Sequence, residues 1–332
     1  MENHRPLDPD NEDAPSFRPF IYKSAAMLRV VEIMKKAALT DANVFVFGES
    51  GVGKELIARG IHNLSRRKKD AFVPVDCVAL PGNLLESELF GFEKGAFTGA
   101  LARKHGLLEF AEQGTFFLDE ICELDPMLQA KLLRVLQERQ FRRIGGQALL
   151  SVDIRVISAT NRHPEVAVKE KVLREDLYFR LNVIPIHVPA LRERKEDIPL
   201  LANHFIDKFT ATNDMEPKEL APETLQALQD YDWPGNVREL QNTMEQAGSL
   251  CLRRVILPED LSANLRQHRA ASLLSQFVLH ASTSWRGDLE AFKRMYFKNL
   301  LEQTHGDMPE AARQARVSLR TLYRMVQSCK LM

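Results

Sequence analysis

Gly48-Glu49-Ser50-Gly51-Val52-Gly53-Lys54-Glu55 follows an apolar run and precedes a helical pattern. Glycines at this spacing let backbone N–H groups turn toward a phosphate. The helix N-terminus adds a favourable field, and a lysine at the seventh place reaches the β/γ oxygens. The plain alternative is a Gly-rich turn beside a surface lysine, and the strand-before, helix-after context argues against it. Downstream, Thr115-Phe116-Phe117-Leu118-Asp119-Glu120 closes an apolar stretch with two carboxylates. Alone, such a pair only marks a strand end; in company with Lys54 it becomes a candidate for chemistry on a phosphate.

Between these motifs lies Gly95-Ala96-Phe97-Thr98-Gly99-Ala100. Gly91, Gly95, Gly99 and Gly106 punctuate the stretch, which argues against a continuous helix and for a projecting loop. Phe97 at its tip would be an exposed aromatic, a residue type suited to anchoring a contact. A glycine-rich turn with Phe97 tucked into the core fits the same residues. Further on, Thr160-Asn161 ends another apolar run, and Leu173–Leu181 carries Arg174 and Arg180. Asn161 alone reads as a turn former, and the two arginines alone read as members of a surface helix.

These residues need elements to hold them. Val44–Phe47, Phe72–Val75, Thr115–Leu118, Ile154–Ala159 and Ile184–Val188 are predicted strands alternating with helical stretches. Such alternation implies a parallel sheet covered on both faces. The spacing predicts helices over Met27–Leu39, with Leu39 on the apolar side, and over Met127–Glu138. After Pro189 the pattern is helical, with Ile198–Phe209 and Pro222–Asp230 as helices. Asn236 is expected to cap the next one, Glu239 completing a capping box. Residues 1–19 are polar and Pro-rich, the composition of a disordered tail.

Lys plus Arg and Asp plus Glu both number 45, so the molecule as a whole is not a basic nucleic-acid binder. From Arg313 onward, however, there are basic residues and no acid, which suggests a local polyanion contact. Four scattered cysteines without a Cys-x-x-Cys pair argue against a zinc knuckle or redox motif. No apolar run spans a bilayer and no signal peptide opens the chain, which favours a cytoplasmic protein without a membrane partner.

With all motifs together, the chain resembles a sigma-54-dependent transcriptional activator, a bacterial enhancer-binding protein of the AAA+ ATPase superfamily. The resemblance runs from about Ile21 to Leu261 and, more weakly, from about Leu289 to the C-terminus. The architecture is nearest to the subgroup without an N-terminal regulatory domain. The resemblance implies an α/β fold, with a parallel-sheet AAA+ core over 21–190 after a disordered tail (1–20). An all-helical lid (191–265), a linker (266–287) and a Fis-like helix-turn-helix domain (288–332) would follow.

The resemblance also assigns roles. ATP and Mg2+ are the implied cofactors, with Gly48–Glu55 holding the nucleotide. Glu55 stands where a generic phosphate loop has Ser or Thr, as is usual in this family. Asp119 would hold Mg2+ through its water shell and Glu120 would polarise the attacking water. Asn161 would read the γ-phosphate, and Arg238 would touch the phosphates as a second sensor. Arg174 and Arg180 would reach a neighbouring subunit's nucleotide in a homo-oligomer, a hexameric ring assembled from dimers. Gly95–Ala100 would contact the sigma-54 RNA polymerase, and ATP hydrolysis would remodel its closed complex into an open one. Enhancer DNA would be bound by Arg320, Thr321, Tyr323 and Arg324 on the second helix of the C-terminal motif, with Ser318 as its cap and Leu322 and Met325 inward.

One residue departs from the pattern. Asp76 stands where many members have an Asn that holds the catalytic Glu, and an ionised carboxylate cannot donate as an amide does. Two other classes share parts of this sequence. A general AAA+ remodeller or helicase loader would share the ATP site but lack Gly95–Ala100. A non-catalytic DNA-binding regulator would not need Lys54, Asp119, Glu120, Arg174 and Arg180 all intact.

Overall fold

The computed structural model describes residues 20–262 and, C-terminal to them, 265, 292–294, 296–297, 300–301, 304 and 307–328. The chain divides into two compact units, Met1–Ser262 and Ala263–Met332. The expected tail 1–19, the expected linker 266–287 and Lys330 lie outside the described residues.

In the first unit, α1 (Ala25–Ala38) precedes β1 (Val44–Phe47) and α2 (Lys54–Asn63). β2 (Phe72–Asp76), α3 (Gly82–Phe90), α4 (Leu107–Phe110), β3 (Thr115–Asp119) and α5 (Pro126–Glu138) follow. After the short hairpin β4 (Gln140–Phe141) and β5 (Leu150–Ser151) come β6 (Arg155–Thr160), α6 (Pro164–Lys169), α7 (Glu175–Leu181) and β7 (Ile184–His187). The five long strands form one parallel sheet in the order β2-β3-β6-β1-β7.

The continuous apolar character of the strands follows from burial on both faces. Side chains alternate across a strand. Phe45, Phe116, Leu118 and Val156 enter the core beneath α5 and α7, while Val44, Val46, Phe117, Ile157 and Ala159 enter the core beneath α1 and α2. The helical stripe of α1 is Met27, Val30, Val31, Met34 and Ala37, all buried. Leu39, expected on that side, is 69% exposed because the helix has ended at Ala38 and the stripe has no further turn to continue on.

Helices α8 (Ile198–Thr212), α9 (Pro222–Asp230) and α10 (Asn236–Leu250) build the lid, where β8 (Glu219–Leu220) pairs with β9 (Val255–Ile256). Trp233 lies fully buried and donates its indole N–H to the Leu228 carbonyl at 2.7 Å. The base of the lid also holds the start of the core. Asp197 accepts hydrogen bonds from Lys23 N (2.5 Å), Ser24 N (2.7 Å) and Ser24 Oγ (2.8 Å), while Ser24 Oγ caps α1 by accepting from Met27 N.

The second unit contains helices Met308–Gln314 and Leu319–Ser328 around a small core of Phe297, Leu300, Met308, Ala311, Ala312, Leu322 and Val326. Asp307 Oδ1 caps the first helix and Ser318 Oγ the second, accepting from Glu310 N and Thr321 N. Val326 takes a fully buried inward place beside Leu322, while Met325 is partly buried. Arg320, Tyr323 and Arg324 are exposed, and Thr321 is half-buried. Arg313 is ion-paired with Glu310 one helical turn earlier, so it adds less free positive charge than the sequence count suggests.

Candidate nucleotide site and projecting loop

The phosphate loop joins the carboxyl end of β1 to α2. Its sharp course needs Gly51 (φ +78°) and Gly53 (φ +104°), left-handed conformations that side chains disfavour. A Cβ on Gly51 would also stand 2.3 Å from the Gly235 carbonyl oxygen, so the lid approaches this loop too closely for any side chain. Lys54 opens α2 and is 7% exposed. Its ammonium donates to the Gly48 carbonyl (3.0 Å) and pairs with Glu120 Oε1 (3.1 Å).

β3 delivers Asp119 and Glu120 to the same end of the sheet. Glu120 has φ +54°, a conformation that costs a non-glycine residue about 1–3 kcal/mol and concentrates at functional sites. Its second oxygen accepts from the Asn161 backbone N–H at 2.8 Å, so β3 and β6 meet at this carboxylate. The pKa of Asp119 is raised by burial first and by Glu120 second, with Lys54 opposing. The two carboxylates share a half-buried corner with the Lys54 ammonium. Among the described residues no three His, Cys, Asp or Glu side chains gather as a metal cage. An oxygen-rich, mostly water-bound Mg2+ fits this corner better than a protein-enclosed ion.

Asp76 pairs in register with Asp119 across β2 and β3. Its Oδ1 accepts from the Val78 N–H at 2.9 Å. Glu120 is held by Lys54 and the Asn161 backbone, so in this chain its position does not require a donor from residue 76.

Several expected site residues lie differently from their sequence reading. Asn236 does not cap α10. It has φ +53°, and Glu239 alone reaches back, accepting from Gly235 N at 2.8 Å. The Asn236 amide instead donates to Glu49 Oε2 (3.1 Å) and to the Ser50 carbonyl (3.0 Å), and its oxygen accepts from Leu191 N (2.8 Å). The Glu49 side chain is bound by Arg192 (2.9 and 2.5 Å), which with Asn236 holds its pKa at about 2. Glu55 is turned outward to Arg59. Arg238 reaches Ser50 Oγ at 3.2 Å, which does place it beside the phosphate loop.

Arg174 and Arg180 stand exposed on and before α7, away from these contacts. Arg174 grips Asp176 (3.1 and 2.7 Å), and Arg180 donates to the Leu136 carbonyl (2.9 Å).

Gly95–Ala100 forms a tight turn closed by Gly95 N to Ala100 O (2.9 Å) and Ala100 N to Phe97 O (3.0 Å). Phe97 is 46% exposed, with its ring edge-on to Phe92 at 4.9 Å; Thr98 is exposed and Ala100 buried. The stem is built from backbone pairs between Phe92 and Lys104, and between the loop's base and Ile144. Arg143 locks that base, binding Glu93 (2.7 Å) and Glu109 (2.9 and 2.5 Å) at once. No sequence signal marked Arg143, because its partners lie 34 and 50 residues away.

Arg143→Ala should loosen the projecting loop before it unfolds the unit. Losing charged hydrogen bonds of this kind costs about 1.5–3 kcal/mol each at most. The measurement is limited trypsin digestion, with cleavage at Lys94 and Arg103 expected to accelerate relative to other sites. Hydrogen bonding to Arg143 holds Glu109 at about 2, below its ordinary 4.5. The strut is therefore fully present above pH 4.5 and is lost as pH falls toward about 2.

A phosphate loop, a lysine paired to a strand-end glutamate and a helical lid seated on that loop define a P-loop ATPase-type domain of the AAA+ kind. Residues 20–187 match the sigma-54 interaction domain, and residues 192–276 match the AAA+ ATPase lid domain. The chain belongs to the sigma-54 interaction domain family. Regulatory protein AtoC of Escherichia coli (strain K12) is 45% identical over 304 residues, covering 92% of this chain and 66% of that protein. The Nif-specific regulatory protein of Azospirillum brasilense is 49% identical over 259 residues, covering 78% of this chain and 41% of that protein. NtrX from Brucella abortus in complex with ADP superposes with a TM-score of 0.70 at 32% identity, covering 95% of this chain and 69% of that one. Its complex with ATP gives 0.69. The chain thus spans two thirds or less of the length of these curated relatives. Among the described residues no helix is long and apolar enough to cross a membrane.

Proposed function

We propose that this chain is an ATP-hydrolysing activator that binds enhancer DNA and remodels the sigma-54 RNA polymerase closed complex into an open complex in the cytoplasm. The observation that carries this reading is the exposed Phe97-Thr98 tip on a braced stem, in a family defined by its sigma-54 interaction domain. An aromatic kept half in water on a rigid stem is suited to a partner contact.

In this reading, Lys54 neutralises the β/γ oxygens of ATP and gives up its pairing with Glu120 when it does so. Glu120 is thereby freed to accept a proton from the attacking water, and the Asn161 backbone keeps its carboxylate oriented. Asp119 would hold Mg2+ through its water shell, and the bound ion would supply positive charge at the phosphates. Arg238 adds a cation from the lid.

Arg174 and Arg180 are exposed, and their hydrogen-bond partners, Asp176 and the Leu136 carbonyl, lie outside the phosphate loop, which suits action on a neighbouring subunit in a hexameric ring. Inactive Arg180→Ala mixed with inactive Glu120→Gln should therefore regain ATPase activity at interfaces that combine an intact finger with an intact base. No recovery at any mixing ratio, with rings confirmed by sedimentation, would count against action in trans. The exposed Arg320, Tyr323 and Arg324, with Thr321, form the face offered to the major groove.

The direct test is capture of sigma-54 by the full chain loaded with an ATP transition-state analogue. Retention is expected with the analogue. A general AAA+ motor would show none.

A further inference from the structure

The outward carbonyls of the phosphate loop are held from the lid. Ser50 O accepts from the Asn236 amide (3.0 Å), Gly51 O from Val237 N (3.1 Å) and Arg238 N (3.3 Å), and Val52 O from Arg194 Nη2 (2.8 Å). In a planar trans peptide the N–H points opposite to the C=O. Fixing these three carbonyls toward the lid aims the N–H groups of Gly51, Val52 and Gly53 the other way, toward the place a phosphate would take. Glu49 is captured at the same seam by Arg192 and Asn236.

Asn236 is the centre of this arrangement. It is fully buried, both hydrogens of its amide are used on the loop, and its oxygen is used on Leu191 N of the lid base. Its left-handed backbone is one that Asn tolerates better than most residues. Arg194, 4% exposed, adds a cation whose Nε has no partner among the described residues, so its main-chain contact to Val52 is its principal anchor.

We infer that Asn236, acting with Arg192 and Arg194 on Glu49 and the loop carbonyls, is a positioning residue for the nucleotide, so that phosphate binding and lid docking are one linked equilibrium. The inference rests on the ATP-binding reading of the loop and names the lid contacts that make it competent. By linkage, whatever strains the lid away from the loop weakens nucleotide binding by the same factor that nucleotide strengthens docking.

The test is a double-mutant cycle in the full chain, read by fluorescence titration with an N-methylanthraniloyl ADP probe and Mg2+. Asn236→Asp keeps the size and the acceptor but turns a carboxylate on Glu49, and should weaken binding about 30-fold. Glu49→Gln alone should cost only about threefold, because Arg192 still reaches the side-chain oxygen. In the double variant the amide introduced at position 49 can donate to the carboxylate introduced at position 236. Affinity should return to within about tenfold of Glu49→Gln, the remaining loss being the donor that Ser50 O no longer has. Melting of the unliganded proteins separates this from a folding defect, and the double variant compared with Glu49→Gln gives the answer even if Asn236→Asp alone is unstable. Purely additive losses would overturn the inference. Absence of probe binding by the parent protein would instead overturn the ATP-binding reading itself.

Discussion

Glu120→Gln is expected to retain ATP binding while losing hydrolysis by at least about a hundredfold, the scale of a removed general base. The amide has the shape of the carboxylate, and its oxygen can still accept from the Asn161 N–H, which lies 2.8 Å from Glu120 in the parent protein. What it loses is basicity toward water and its charge toward Lys54. Because Glu120 and the phosphates compete for the Lys54 ammonium, the variant should bind nucleotide as tightly as the parent or more so. Lys54→Ala should do the reverse and weaken binding at least about tenfold, since the loop's one buried cation is gone. Nucleotide titration beside steady-state phosphate release separates the two effects. Normal turnover by Glu120→Gln would remove this residue from the mechanism.

Thr98→Ala should hydrolyse ATP at close to the parent rate yet fail to open a sigma-54 promoter. Thr98 is exposed at the loop tip, and the loop's backbone hydrogen bonds run to its own stem and not to the phosphate loop. Removing one hydroxyl there leaves the Arg143 strut, the phosphate loop and the strand-end carboxylates as they are. Hydrolysis reaches a partner only through a contact, so a lost contact uncouples chemistry from work. Phosphate release and open-complex formation measured on one preparation, over a supercoiled template, decide the matter. If Thr98→Ala opens the promoter like the parent protein, the loop is not the remodelling contact and a general AAA+ motor becomes the better description.

Local signals carried much of the fold. β1 and α9 fall on their predicted bounds, Val44–Phe47 and Pro222–Asp230, and the other long strands within a residue or so. Those strands are buried on both faces, so their runs are continuously apolar and bounded by turn residues, a pattern legible without any partner. The phosphate loop was equally legible, because its function needs glycines at fixed offsets within one turn of chain.

The seam between lid and loop was not legible. Asn236 in Gly235-Asn236-Val237-Arg238-Glu239 has every local mark of a helix cap, and local propensity alone assigns it that role. Its amide goes instead to residues 186 and 187 positions away, because the lid folds onto the phosphate loop and offers a buried amide two better acceptors. Glu49, Arg192 and Arg143 belong to the same class. Each is a charged residue whose role is set by a counter-charge brought from far along the chain. Sequence by itself determined which elements form and which turn can cradle a phosphate, since both depend on neighbours in the chain. Only the tertiary structure decided which side chains those elements bring together, because hydrogen bonds and ion pairs act over a few ångströms in space whatever the separation in sequence.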